Sequence, residues 1–106
     1  IPCMRFNLDI NNDLYGDLLL YLGYKDIYAS TPKQDLGKQA IYKMSELLEI
    51  LHTKTNLPIS LESVESLPDY IEEIADKALN DGALIVNNKY VYKQDIIDIL
   101  EGKYGY

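Results

Sequence analysis

Ala78-Leu79-Asn80-Asp81-Gly82-Ala83-Leu84-Ile85-Val86-Asn87-Asn88-Lys89 is the stretch on which the fold turns. Its apolar middle, residues 83–86, follows an Asp-Gly break and runs into a polar Asn-Asn-Lys turn. The middle shows neither the two-residue alternation of a half-buried strand nor the length of a helix. It therefore reads as a connection between two helices. Connections normally run over the surface and stay polar, so a greasy one is expected to be tucked against something.

Upstream, Ser66-Leu67-Pro68-Asp69 starts a helix, with Asp69 favourably placed in the first turn. Ile71, Ile74, Ala75, Ala78 and Leu79 form its apolar stripe, and Asn80-Asp81-Gly82 stops it. Downstream, a last helix over roughly Lys93 to Glu101 presents Ile96, Ile97 and Leu100 before Gly102.

Earlier in the chain, Thr31-Pro32-Lys33-Gln34 carries the clearest start signal. Thr31 can accept from the first turn, Pro32 loses nothing by lacking an N–H there, and Gln34 can complete a capping box. The helix that follows has Leu36, Ala40, Ile41, Met44, Leu47, Leu48 and Leu51 on one stripe and ends between Thr53 and Asn56. Lys38, Gln39, Lys43, Glu46 and Glu49 form its water face. Asn11-Asn12-Asp13 predicts a further helix start, with Leu14, Leu18, Tyr21 and Leu22 as its apolar stripe up to Gly23. Asn7 is placed to close an initial helix in a left-handed conformation. Tyr24 to Ser30 reads as a connector, and Leu57 to Leu61 as a turn, with Ser60 and Ser63 capping one helical turn at 62–64. The expectation is a single all-α domain over 1–106, with four or five helices.

Charge narrows the function classes. Ten Lys and Arg stand against 17 Asp and Glu, a net charge of -7, and the basic residues are dispersed. A nucleic acid or an anionic membrane needs a basic patch, so neither is expected as a partner. No apolar run approaches the ~20 residues that span a bilayer. Cys3 is alone, which excludes an internal disulfide and fits a reducing cytoplasm. The start at Ile1-Pro2 gives the expectation of a piece of a larger protein.

No chemistry-bearing constellation emerges from residue types alone. His52, the sole histidine, has no second His or Cys to complete a metal site and reads as a helix-end residue favoured by the dipole. Glu62, Glu65, Asp69, Glu72 and Glu73 read as charge around a helix start rather than as an acid–base pair. Asp13 and Asp17 lack the remaining ligands of a calcium loop, and the ten tyrosines read as half-buried packing residues.

The order of the short motifs nevertheless resembles the C-terminal part of the iron-containing, group III alcohol dehydrogenases. Ile1-Pro2 followed by Met4-Arg5-Phe6-Asn7 resembles the Leu-Pro and Met-x-Phe/Tyr-Asn segment after that family's last metal ligand. Leu57-Pro58-Ile59-Ser60-Leu61 resembles its Ile-Pro-x-x-Leu turn. Leu67-Pro68 with Ile74-Ala75-x-x-Ala78-Leu79-x-Asp81 is similar to its Leu-Pro and Ala-x-x-Ala-Leu-x-Asp helix. Asn87 and Asp95-Ile96 resemble its Asn-Pro-Arg turn and Glu-Asp-Ile helix. Three departures stand out: the spacing from Pro2 to Asn7 is one residue short, Asn87-Asn88-Lys89 replaces Asn-Pro-Arg, and Tyr92 occupies a Thr or Ser cap position.

The resemblance implies the C-terminal part of a dehydroquinate synthase-like helical domain, whose partner would be an N-terminal nucleotide-binding domain. The parent would interconvert a small alcohol and its aldehyde with NAD(P), using iron or zinc as a Lewis acid. The family's Asp and three His ligands fall upstream of Ile1, so this chain would carry no catalytic, cofactor-binding or metal residue and would be inactive alone. Phe6 and Asn7 would be structural, since a helix rising ~1.5 Å per residue carries them well away from the last ligand. Ala83 and Leu84 would line the substrate pocket, the alternative being simple packing against the helices. Uncovered helices would leave an apolar patch and favour self-association. The competing reading is a stand-alone acidic helical module that binds a protein partner.

Overall fold

The computed structural model describes residues 1–62 and 64–105; Ser63, assigned above to a cap, lies outside them. The chain is all-helical there, with no strand among the described residues. Six α-helices, two more than the lower expectation, follow in order: α1 Pro2–Phe6, α2 Leu8–Tyr21, α3 Lys25–Ser30, α4 Leu36–Thr55, α5 Leu67–Leu79 and α6 Lys93–Leu100. Short 3₁₀ turns occupy Lys33–Asp35 and Gly82–Val86.

The helices pack in two groups. In the first, α2 lies along α4 with α3 against it, around buried Leu19, Leu36 and Ala40. Tyr15, Leu18, Tyr24, Ile27 and Tyr28 pack on that core. In the second, α5 pairs with α6 around buried Ala75 and Ile97, and α1 touches both α2 and α6.

Of the stripe expected for α2, Leu18 packs on the core and the other large residues do not. Leu14 and Tyr21 face solvent at 60% and 86% exposure, while Asn11, Gly16 and Leu19 are buried. Glycine explains the choice of face. A Cβ on Gly16 would lie 2.7 Å from Leu36 Cβ, so the bare backbone is what allows α2 to approach α4. α2 runs from Leu8, but Asn11 departs from helical dihedrals (φ -115°, ψ 16°), so two helical segments meet there and the second starts where Asn11-Asn12-Asp13 is expected to start one. Asn7 closes α1 at φ -92°, without the left-handed backbone.

The capping box at Thr31 does not form either. Thr31 Oγ1 donates to the Ile27 carbonyl at 2.7 Å and so closes α3, the connector that turns out to be helical. The start of α4 is capped from another helix. Asn12 Oδ1 of α2 accepts from the Gly37 N–H at 3.0 Å, and Asn12 Nδ2 donates to the Lys33 carbonyl at 2.9 Å. One amide thereby satisfies an orphan donor of α4 and a carbonyl of the preceding turn. Asn12→Ala is expected to lower stability by about 1–2 kcal/mol, the usual cost of a lost cap, read as a shift in the urea midpoint at unchanged m-value.

The distal half of α4 is sparsely covered. Ile50 and Leu51 are 49% and 45% exposed, and the helix ends at Asn56 in the left-handed region (φ 56°), which asparagine tolerates. Leu57, Ile59, Leu61 and Val64 on the following connection are also exposed. The whole chain is open. Its radius of gyration is 15.4 Å, against about 13 Å for a compact domain of this length. It exposes 7289 Å² of surface, where a compact monomer of its mass exposes about 6000 Å².

Candidate functional site

The Gly82–Val86 segment folds as a 3₁₀ turn. Asp81 caps it, its Oδ1 accepting from the Ala83 N–H at 2.8 Å. A turn of this tightness points its side chains in different directions. Leu84 is half-buried, Ala83 is exposed, and Ile85 and Val86 project outward at 87% and 80% exposure. Of the two residues expected at a pocket, Leu84 lines an apolar cavity and Ala83 does not. Only Leu84, of four apolar residues, turns towards the helices.

That cavity measures about 310 Å³ and lies where α1, α5, the 3₁₀ turn and α6 converge. Ile74 and Ala78 come from α5, and Ile96, Ile99 and Leu100 from α6. Cys3 and Phe6 supply the α1 wall, and Leu84 with Val91 closes the remaining side. The periodicity of α5 and α6 explains this surface, since both apolar stripes face inward there. Two polar residues, Asn7 and Asn87, complete the lining.

Their amides bond to each other. Asn7 Nδ2 donates to Asn87 Oδ1 at 3.1 Å, and Asn87 Nδ2 donates to Asn7 Oδ1 at 3.2 Å. Each also spends its second proton on backbone, Asn7 on the Cys3 carbonyl at 3.1 Å and Asn87 on the Lys89 carbonyl at 2.6 Å. The neighbouring residues extend the clamp. Asn88 Nδ2 donates to Asn11 Oδ1 at 3.0 Å, and Lys89 Nζ donates to the Phe6 carbonyl at 2.9 Å. Lys89 also pairs with Asp9 at 3.0 Å and sits 4.4 Å from the Phe6 ring centre. A polar Asn-Asn-Lys turn is thus fastened to the α1–α2 junction, with Leu84 held nearby. Nothing in the residue pattern announces this clamp. The only signal was four asparagines, 7, 11, 87 and 88, whose pairing depends on a fold that brings the two ends of the chain together.

One arm of the clamp, the Asp9–Lys89 pair, responds to pH. The Lys89 ammonium, chiefly through its hydrogen bond, holds the exposed Asp9 carboxyl below the ordinary aspartate range. A carboxyl depressed on folding contributes stability above its unfolded pKa, and that contribution is lost as pH falls through the folded value. Wild type is therefore expected to lose stability below about pH 4. Asp9→Asn should lower stability at neutral pH by the small amount that acidification removes from the wild type and flatten that part of the acid limb, so that the two proteins converge at low pH in thermal melts at stepped pH.

Other charges organise the surface. Lys93 at the start of α6 pairs with Glu72 at 2.8 Å and Asp76 at 2.7 Å on α5. At that same helix start, the Asp95 carboxylate accepts from the Tyr92 N–H at 2.8 Å, supplying a cap despite the tyrosine at the cap position. His52 is exposed, and its Nδ1 lies 2.8 Å from the Leu57 carbonyl, so that nitrogen carries the proton in this contact. Among the described residues, no three His, Cys, Asp or Glu side chains come together to hold a metal ion. No described helix is long and apolar enough to cross a membrane. The chain matches no family model, no curated protein and no solved structure.

Proposed function

We propose that this chain is the helical C-terminal portion of a metal-dependent, NAD(P)-linked alcohol dehydrogenase acting on a small alcohol or aldehyde. The observation that supports this reading is the 3₁₀ turn at Gly82–Val86, which turns Ile85 and Val86 outward beside a cavity that Leu84 lines. In the family that the motifs resemble, this segment borders the substrate pocket. An apolar turn so exposed is unfavourable in water and becomes favourable once an N-terminal nucleotide-binding domain closes over it.

In this reading the chain's own residues shape the site and exclude water. Leu84 supplies an apolar wall, Ile85 and Val86 present an outward apolar face for the nucleotide-binding domain to cover, and the Asn7–Asn87 pair fixes the position of the turn. Among the described residues no His, Cys, Asp and Glu side chains group as metal ligands. Iron or zinc, held by residues of the rest of the enzyme, would polarise the substrate oxygen.

The test is to express the uninterrupted reading frame that contains this chain and to follow NAD(P)-dependent oxidation of primary alcohols at 340 nm. A frame that encodes a glycine-rich nucleotide-binding domain and an Asp/three-His set, with turnover of an alcohol, is the expected result. A frame that starts immediately before Ile1 would overturn it and leave the acidic interaction module as the reading.

A further inference from the structure

We propose that the cavity between α1, α5, the Gly82–Val86 turn and α6 is a binding site for a small, uncharged, apolar molecule of about ten carbon atoms, such as a fused arene. Volume sets the size: about 310 Å³ is twice the ~150 Å³ engineered cavity that stays dry and takes up benzene. Chemistry sets the class. The walls are aliphatic and aromatic, and the four amide protons of Asn7 and Asn87 are already given to Asn87, Asn7 and the carbonyls of Cys3 and Lys89. A ligand that needs hydrogen-bond donors from these amides would have to break the clamp. An apolar one loses its hydration and displaces nothing of value.

Charge is excluded from the site by the same geometry. The nearest cation of the clamp, Lys89, is occupied by Asp9 and the Phe6 carbonyl and lies on the Phe6 ring. A charged ligand would therefore be desolvated without a partner, which is costly. Cys3 lines the cavity and is exposed, so it borders the mouth. It provides a reporter of occupancy. The cavity shares its Leu84 wall with the dehydrogenase reading but does not need that reading, because every wall belongs to this chain and the binding test is made on the chain alone.

The experiment uses the 106-residue chain with naphthalene as the probe and benzoate as the charged control. Methyl carbon–proton NMR spectra should show saturable shifts concentrated on Ile74, Leu84, Ile96 and Ile99, with none from benzoate. Saturating naphthalene should slow iodoacetamide modification of Cys3 by about tenfold, reversing as the probe is diluted out. Ala78→Phe, which fills the cavity, should weaken binding by at least about tenfold. Ala83→Phe, on the exposed side of the turn, should leave it unchanged. Circular dichroism checks that both variants fold, and Cys3 protection in the wild type carries the test should Ala78→Phe unfold. Shifts that do not saturate, equal binding of benzoate, absence of Cys3 protection, or undiminished binding by folded Ala78→Phe would each overturn the proposal.

Discussion

Gly37→Ala is expected to lower the unfolding free energy by about 2–3 kcal/mol and the melting temperature by about 10–15 °C. The added Cβ would stand 2.7 Å from Leu8 Cδ1, 2.9 Å from Asn12 Cα and 2.9 Å from Asn12 Oδ1. Leu8 can swing away, but Asn12 Cα is backbone in α2, so the two helices must separate. Overpacking of this kind typically costs about 1–3 kcal/mol. Separation also lengthens the bond from the Gly37 N–H to Asn12 Oδ1, adding about 1 kcal/mol for a weakened cap. Against this, alanine is up to ~1 kcal/mol better than glycine in a helix, and less near its first turn. The steric terms win. Gly82→Ala is the matched control, because nothing lies within 4 Å of a Cβ there. It should change stability by less than about 0.5 kcal/mol. Equal melting curves for the two variants would contradict the close approach of α2 to α4.

The same two helices show what a sequence can and cannot disclose. α4 and α5 were legible because their apolar residues recur at helical spacing over several turns, and the structure buries Leu36, Ala40 and Ile41 on the one and Ala75 on the other. α2 is legible only in part: Leu18 and Leu19 pack in the core, but the face laid on α4 depends on Gly16 and Asn12, residues of little hydrophobic weight that permit contact instead of driving it. Leu14 and Tyr21 form a more hydrophobic stripe and remain in water. α3 is a six-residue helix, too short for a period to declare itself, and its Thr31 hydroxyl is committed to closing it. At the candidate site, the oddity of residues 83–86 was legible, whereas the direction of each side chain was not. A 3₁₀ turn rotates successive residues by about a third of a turn, so only one of them, Leu84, can face the helices.

Asn7→Leu and Asn87→Leu are each expected to cost about 2–3 kcal/mol, and the double variant markedly less than their sum. Asn7 is 8% exposed, and its side chain both donates to and accepts from Asn87. Removing one partner leaves the other amide with an unmet oxygen and an unmet proton at the cavity wall. That unpaired state carries the full desolvation penalty, about 1–3 kcal/mol, whereas replacing both partners by apolar groups of similar shape is close to neutral. The double-mutant cycle should therefore return a coupling of about 1–3 kcal/mol, measured by chemical denaturation. A coupling near zero would mean that the two amides do not depend on each other for burial. The cycle also separates two roles. If the pair only fills space, the double leucine variant should retain the native hydrogen-exchange protection of residues 82–91. If the directional bonds set where the turn sits, protection of that segment should fall even though global stability recovers, because Asn87 Nδ2 also holds the Lys89 carbonyl at 2.6 Å and leucine cannot. The second outcome is expected: stability belongs to the matched polarity of the pair, whereas the placement of Leu84 against the helices belongs to the hydrogen bonds that only an amide at position 87 can make.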